Sequence, residues 1–60
     1  MRVEITLKEK DERGNYIIFV RDNVVEYSTP ELSDDWFMIK SKHCVEYYAV
    51  SDILSIHIDS

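Results

Sequence analysis

The sequence is poor in the residues that mark most chemical specialisations. Its sixty residues include one cysteine, one glycine and one proline, and its longest apolar run is the five residues from Tyr16 to Val20. Each scarcity excludes something. A lone Cys44 cannot close an internal disulfide, and a secreted domain this short ordinarily needs several, so a reducing, cytoplasmic compartment is expected. The longest apolar run falls far short of the ~20 residues that cross a bilayer as a helix, and Met1-Arg2-Val3-Glu4 does not lead into a signal-peptide core. A single glycine with no long helix to follow it leaves no phosphate cradle, which removes nucleotide hydrolysis. Bases are scarce as well: seven lysines and arginines against twelve aspartates and glutamates give a formal charge of −5. Length adds its own limit, because a chain of about 60 residues buries only about 60% of the surface its unfolded form exposes. One domain over residues 1–60 is expected, with no room for the deep pocket that most cofactor enzymes use.

What is present favours strands. Hydrophobic residues make up 45% of the chain, enough apolar surface to offset the entropy of ordering it. Val, Ile and Thr number fifteen and the aromatics seven, while Leu is three and Ala one, a balance that suits sheets and not helices. Met1, Val3, Ile5 and Leu7 alternate with Arg2, Glu4, Thr6 and Lys8, the period-2 pattern of a strand with one buried face. Asp11-Glu12-Arg13-Gly14-Asn15 then places the only glycine where a hairpin loop uses a positive φ. Tyr16-Ile17-Ile18-Phe19-Val20 is apolar on both faces and reads as a strand covered on both sides. Asp22-Asn23 is either a tight hairpin or a bulge bending one long strand into Val24-Val25-Glu26-Tyr27. Residues 28–35 read as a loop with one helical turn, capped by Ser28 or Thr29, opened by Pro30 and anchored by Leu32. Trp36 to Lys40 and Val45 to Val50 form a hairpin around Ser41-Lys42-His43-Cys44. Ser51-Asp52-Ile53 reads as a 3₁₀ turn capped by Ser51, ahead of a last strand in which Leu54, Ile56 and Ile58 alternate with polar residues. The expected core is Val3, Ile5, Leu7, Ile18, Val20, Ile39, Ala49, Ile56 and Ile58, with Trp36 partly buried at its hub.

The expected fold is all-β, five or six short antiparallel strands curled into a small closed barrel with one 3₁₀ or helical turn. The stretch from Trp36 to Ile58 (strand, tight turn, strand, 3₁₀ turn, strand) resembles the second half of SH3-like and Sm-like small barrels. The resemblance is one of architecture: neither the RNA-contacting motifs of the Sm family nor the Ala-Leu-Tyr-type start of peptide-binding SH3 domains is present, so it carries no functional residue. Small acidic chains of this size are also common among bacteriophage products that interfere with host proteins, an association of size and composition and not of motif.

Catalytic chemistry has little to work with. Cys44 and His57 could meet as a thiolate and base, yet no third group and no glycine-rich segment for an oxyanion hole accompany them. His43 and Cys44 are adjacent, which turns them to opposite faces if extended, and no four-ligand zinc spacing exists. No catalytic, cofactor or metal residue is assigned. Nucleic acid is disfavoured by the charge map: residues 22–39 carry five acids and no base, and only Lys8, Lys10, Arg13, Lys40 and Lys42 could form basic patches. The acidic segment suits a basic protein surface instead. Its candidate partner-binding residues are Glu26, Tyr27, Glu31, Asp34 and Asp35, joined by Tyr48, because Tyr47 and Tyr48 point to opposite faces of a strand and one must lie outside the core. The expected function is a non-catalytic protein-interaction module, a small acidic inhibitor or adaptor of phage or bacterial type; the alternative is an Sm-like nucleic-acid or nucleotide binder. The two-sided strands at Tyr16 to Val20 and Trp36 to Ile39 also predict a homodimer or higher oligomer.

Overall fold

A computed structural model describes residues 1–28 and 35–59. The chain forms β1 (Arg2–Lys10), β2 (Tyr16–Arg21), β3 (Val24–Tyr27), β4 (Trp36–Ser41), β5 (Val45–Ala49), a 3₁₀ turn (Val50–Asp52) and β6 (Ile53–Asp59). The strands make two antiparallel three-stranded sheets, ordered β2-β1-β6 and β3-β4-β5. The all-β reading is therefore correct. Among the described residues, however, the ladders make two separate sheets and not the closed barrel expected from the sequence.

β1 is the centre of the first sheet because its alternation gives it one wholly apolar face, with Val3 and Ile5 fully withdrawn from solvent. Its exit loop is built on Asp11. The carboxylate Oδ1 accepts the backbone N–H groups of Arg13 and Asn15 at 2.9 and 3.0 Å, and Gly14 takes the left-handed φ of 83° that closes the turn.

Asp22-Asn23 is a bend and not a hairpin, for β2 ladders with β1 whereas β3 ladders with β4. The Val24 N–H donates to the Met1 carbonyl and the Met1 amino group to the Val24 carbonyl, both at 3.0 Å. Arg21 lies opposite Val3, so β3 continues along the start of β1 after a one-residue slip. Asn23 absorbs the extra residue at φ 61°, which an asparagine tolerates better than most side chains. One bent strand thus passes from the first sheet into the second.

Val3, Ile5, Val24, Phe37 and Ile39 form the core, rimmed by the half-buried Leu7, Tyr27, Tyr48, Val50, Ile53, Ile56 and Ile58. Four expected core residues, Ile18, Val20, Trp36 and Ala49, fall outside it. Phe19 pairs with Ile5 and shares its inward face, which turns Ile18, opposite Thr6, and Val20, opposite Glu4, to solvent. In β4 the same parity gives the interior to Phe37 and Ile39, leaving Trp36 58% exposed and not at the hub. Strands apolar on both faces carry no parity of their own, so the pairing with neighbours decides it. Ala49, Leu7, Ile56 and Ile58 are only half-buried. Leu54 is squeezed outward where the β1–β6 register slips between Thr6–Ser55 and Leu7–Ile53.

The 3₁₀ turn starts one residue earlier than the sequence suggests, with Ala49 at its N-cap and no side-chain cap, so Ser51 does not cap it. The helical turn expected near Pro30, with Thr29 and the Leu32 anchor, lies outside the described residues. Ser28 extends the β3–β4 ladder: its N–H donates to the Met38 carbonyl at 3.0 Å, and its Oγ accepts the Met38 N–H at 2.9 Å.

Candidate protein-interaction face

The outer face of the second sheet collects the side chains that the core rejects. Register places Trp36 opposite Ala49, Met38 opposite Tyr47 and Lys40 opposite Val45 on β4 and β5, with Glu26 of β3 opposite Lys40. Trp36, Val45 and Tyr47 are exposed, Tyr47 at 64%, and Met38 and Ala49 half-buried. The result is a continuous apolar and aromatic surface on a rigid hairpin, of the composition that carries binding energy at protein interfaces. Its turn is fixed by the Ser41 N–H donating to the Cys44 carbonyl at 2.8 Å.

At one end of this face an open depression is lined by Asp35, Trp36, Ala49, Val50 and Ser51. The Val50 N–H donates to the Asp35 carbonyl at 2.9 Å and ties the start of β4 to the 3₁₀ turn. Because Ala49 is the cross-strand neighbour of Trp36, a small side chain stands where a large one would have covered the indole. A depression that joins an exposed indole to an exposed acidic residue is suited to a cationic side chain, drawn by ring quadrupole and charge together.

Of the six candidate partner-binding residues, Glu26 stands on this face opposite Lys40, and Asp35 lines the depression at its other end. Glu31 and Asp34 lie outside the described residues. Tyr27 and Tyr48 turn inward: the Tyr27 ring centroid is 6.5 Å from that of Phe37, and the Tyr48 centroid is 5.8 Å from that of Phe19. The exposed member of the tyrosine pair is Tyr47. Met38 and Val45 are not legible as site residues, and Trp36 and Tyr47 are legible only as alternatives to burial, since an apolar strand residue reads equally as core. The signal available was the conflict itself: four consecutive apolar residues, Trp36 to Ile39, cannot all face one way.

A second cluster bridges the two sheets. Arg21 at the end of β2 donates through Nε to both Glu46 oxygens on β5, at 2.9 and 3.2 Å, and the Tyr48 hydroxyl donates to the same carboxylate. The Arg21 guanidinium also covers the Phe19 ring at 5.5 Å. The Arg21 hydrogen bond, then that of Tyr48, holds the Glu46 carboxyl below its ordinary value. Burial, and then the bond it donates to Glu46, holds the Tyr48 hydroxyl above its own. Every member of the cluster has a partner inside it, which makes it a clamp between sheets and leaves no free base or nucleophile.

Elsewhere, Cys44 is exposed in the β4–β5 turn, and the exposed His57 Nε2 lies 3.1 Å from Asp59 Oδ1. Among the described residues no three His, Cys, Asp or Glu side chains converge as metal ligands, and no helix is long and apolar enough to cross a membrane. Comparisons of the chain with family models, with curated proteins and with solved structures give no match.

Proposed function

We propose that the chain is a non-catalytic protein-interaction module, a small acidic inhibitor or adaptor that binds a protein with a basic surface. The observation that carries this reading is the face on which Trp36, Val45 and Tyr47 are exposed around the half-buried Met38, with Asp35 at its rim. Apolar and aromatic groups in the centre of the face supply affinity, while the carboxylates around it steer a basic partner and set orientation. The depression beside Trp36 receives an arginine or lysine side chain of that partner. The architecture supports placing the module among SH3-like small barrels: a bent β2–β3 strand shared by the two sheets, a tight β4–β5 hairpin and a 3₁₀ turn before the final strand. In this reading the two sheets close on each other as a barrel and the module works in the cytoplasm.

Affinity capture from a nuclease-treated lysate tests it, with wild-type chain and the Trp36→Ala/Tyr47→Ala variant as parallel baits. The expected result is a specific protein retained by the wild type and lost by the variant. Equal retention by both moves the binding surface elsewhere, and a ligand that disappears on nuclease treatment replaces the protein partner with nucleic acid.

A further inference from the structure

The second sheet ends on β5, and the bonding of its hairpin decides what that edge presents. Ser41 donates its N–H to the Cys44 carbonyl at 2.8 Å and Val50 donates to the Asp35 carbonyl at 2.9 Å, and between these two pairs the β4–β5 register runs without a slip. Bonded and non-bonded pairs alternate along an antiparallel ladder, so Glu46 and Tyr48 bond to β4 while Val45, Tyr47 and Ala49 turn their N–H and C=O groups outward. Met38, across from Tyr47, agrees: its N–H and carbonyl both engage Ser28 on the β3 side. β5 ladders with β4 alone, which leaves these six backbone groups without a backbone partner among the described residues.

The other sheet edges are blunted. On β2 the Val20 carbonyl is taken by Arg21 Nη1 at 3.0 Å. β3 is four residues long and is bridged at Val24 by Met1, and the β1–β6 register slips beside Leu54. β5 has no proline, lysine or slip, and its one charge, Glu46, is tied to Arg21. Val45 and Tyr47 are both exposed along it.

We propose that a second copy of the chain pairs with this edge, β5 antiparallel to β5, about a two-fold axis through Tyr47 and perpendicular to the sheet. That register sets Tyr47 opposite Tyr47 and Val45 opposite Ala49, and it is the symmetric register that gives all six groups a partner. Charge agrees with it. The charges nearest the β5 edge are Lys40 and Lys42 at the hairpin end and Asp35 and Asp52 at the end of the 3₁₀ turn, all four exposed; Asp22 and Glu26 lie beyond the lysines, on the β3 side. Continued past the strand ends, the register brings Lys42 of each copy toward Asp52 of the other, so a basic end meets an acidic one twice. A two-fold along the strands would set like ends together. The pairing makes one six-stranded sheet, leaves the Trp36 face open, and turns both copies of that face the same way.

Sedimentation equilibrium of the full chain from micromolar to millimolar concentration, in about 0.15 M salt so that distant charges are screened, tests the proposal. Far-UV circular dichroism confirms the fold of each variant. Wild type should pass from 7.1 kDa toward twice that mass. Ala49 already has φ −65° and ψ 123°, which proline adopts, and its N–H points off the sheet. Ala49→Pro should therefore fold, while the edge loses a donor at two symmetric places and association weakens roughly tenfold or more. Tyr47→Lys, which sets two ammonium groups across the axis, should be monomeric. Lys42→Glu and Asp52→Lys should each weaken association roughly two- to tenfold, the size of two exposed ion pairs, and the double reversal should restore it. Ile18→Glu, on the other sheet, and Trp36→Ala should dimerise like wild type, which separates this edge from the remaining exposed apolar surfaces. A wild-type mass that stays at 7.1 kDa across the range overturns the proposal and leaves the edge to an extended segment of another protein. So does a dimer that survives both Ala49→Pro and Tyr47→Lys, and a double reversal no stronger than either single change overturns the register.

Discussion

Replacing Phe37 by alanine removes the largest side chain wholly withdrawn from solvent, and it does so at the centre of the core. Phe37 reaches that position because β4 pairs it with Tyr48 while Ile39 takes the next inward place, and the Tyr27 ring closes over it. Truncating a fully buried phenylalanine costs about 3–5 kcal/mol, from lost transfer energy and from the cavity that neighbours only partly refill. A 60-residue chain at about 0.05–0.15 kcal/mol per residue has only about 3–9 kcal/mol in total. Phe37→Ala is therefore expected to leave a large unfolded population at 25 °C. Trp36→Ala, one residue away and a larger deletion, removes a side chain that is already 58% exposed and lies on the face of β4 turned away from the core. Its cost should stay near 1 kcal/mol or below. Urea titrations followed by far-UV circular dichroism compare the two without depending on the single tryptophan. Equal midpoints for Phe37→Ala and wild type, or a Trp36→Ala variant as unstable as Phe37→Ala, would refute the assignment of inner and outer faces in β4.

The Glu46 clamp predicts an acid-side dependence: a carboxyl held below its ordinary value in the fold takes up protons more readily when unfolded, so its stabilisation is complete above roughly pH 4.3 and fades as pH falls below it. Urea midpoints for wild type should drop across that window, and Glu46→Gln should flatten the slope; an identical slope in the variant removes the clamp from the account. At Gly14, held at φ 83° with open space where a methyl group would stand, alanine should cost about 1 kcal/mol from backbone strain alone, whereas Asn23→Gly at φ 61° should be neutral within about 0.5 kcal/mol. Thermal melts of both check the bend and the hairpin separately. Reversing the two rim carboxylates, Glu26→Lys with Asp35→Lys, should slow association with the basic partner several-fold at low salt and flatten its salt dependence, read by stopped-flow mixing. Unchanged rates in that variant would take electrostatic steering away from this face.

Much of this architecture can be read from the residues. Period-2 alternation locates β1, Gly14 marks its hairpin, and Ser41 to Cys44 marks the turn between β4 and β5. Parity within β2 and β4 is not readable, because Tyr16 to Val20 and Trp36 to Ile39 are apolar on both faces and a shift of one residue would look the same in the sequence. That ambiguity hid Phe37 from the core and Trp36 from the surface. Val24 escapes a local reading for a different reason: its burial depends on the Met1–Val24 bridge, a contact between residues 23 apart in sequence that no local pattern announces. The proposed partner face suffers from both effects. Its acidic rim at Glu26 and Asp35 shows in the charge map, but its aromatic centre is defined only once the sheet has turned Tyr27 and Tyr48 inward and Tyr47 outward.

The chain's single tryptophan lines the depression at the Asp35 end of the proposed contact, so its own fluorescence reports the event directly. When the captured basic partner is added to saturation, Trp36 emission should shift to the blue and its quenching by acrylamide should fall to a fraction of the free value, as an exposed indole becomes enclosed. A complex formed in full with the spectrum and quenching of Trp36 unchanged would contradict the account, since no partner could then occupy the face on which it rests.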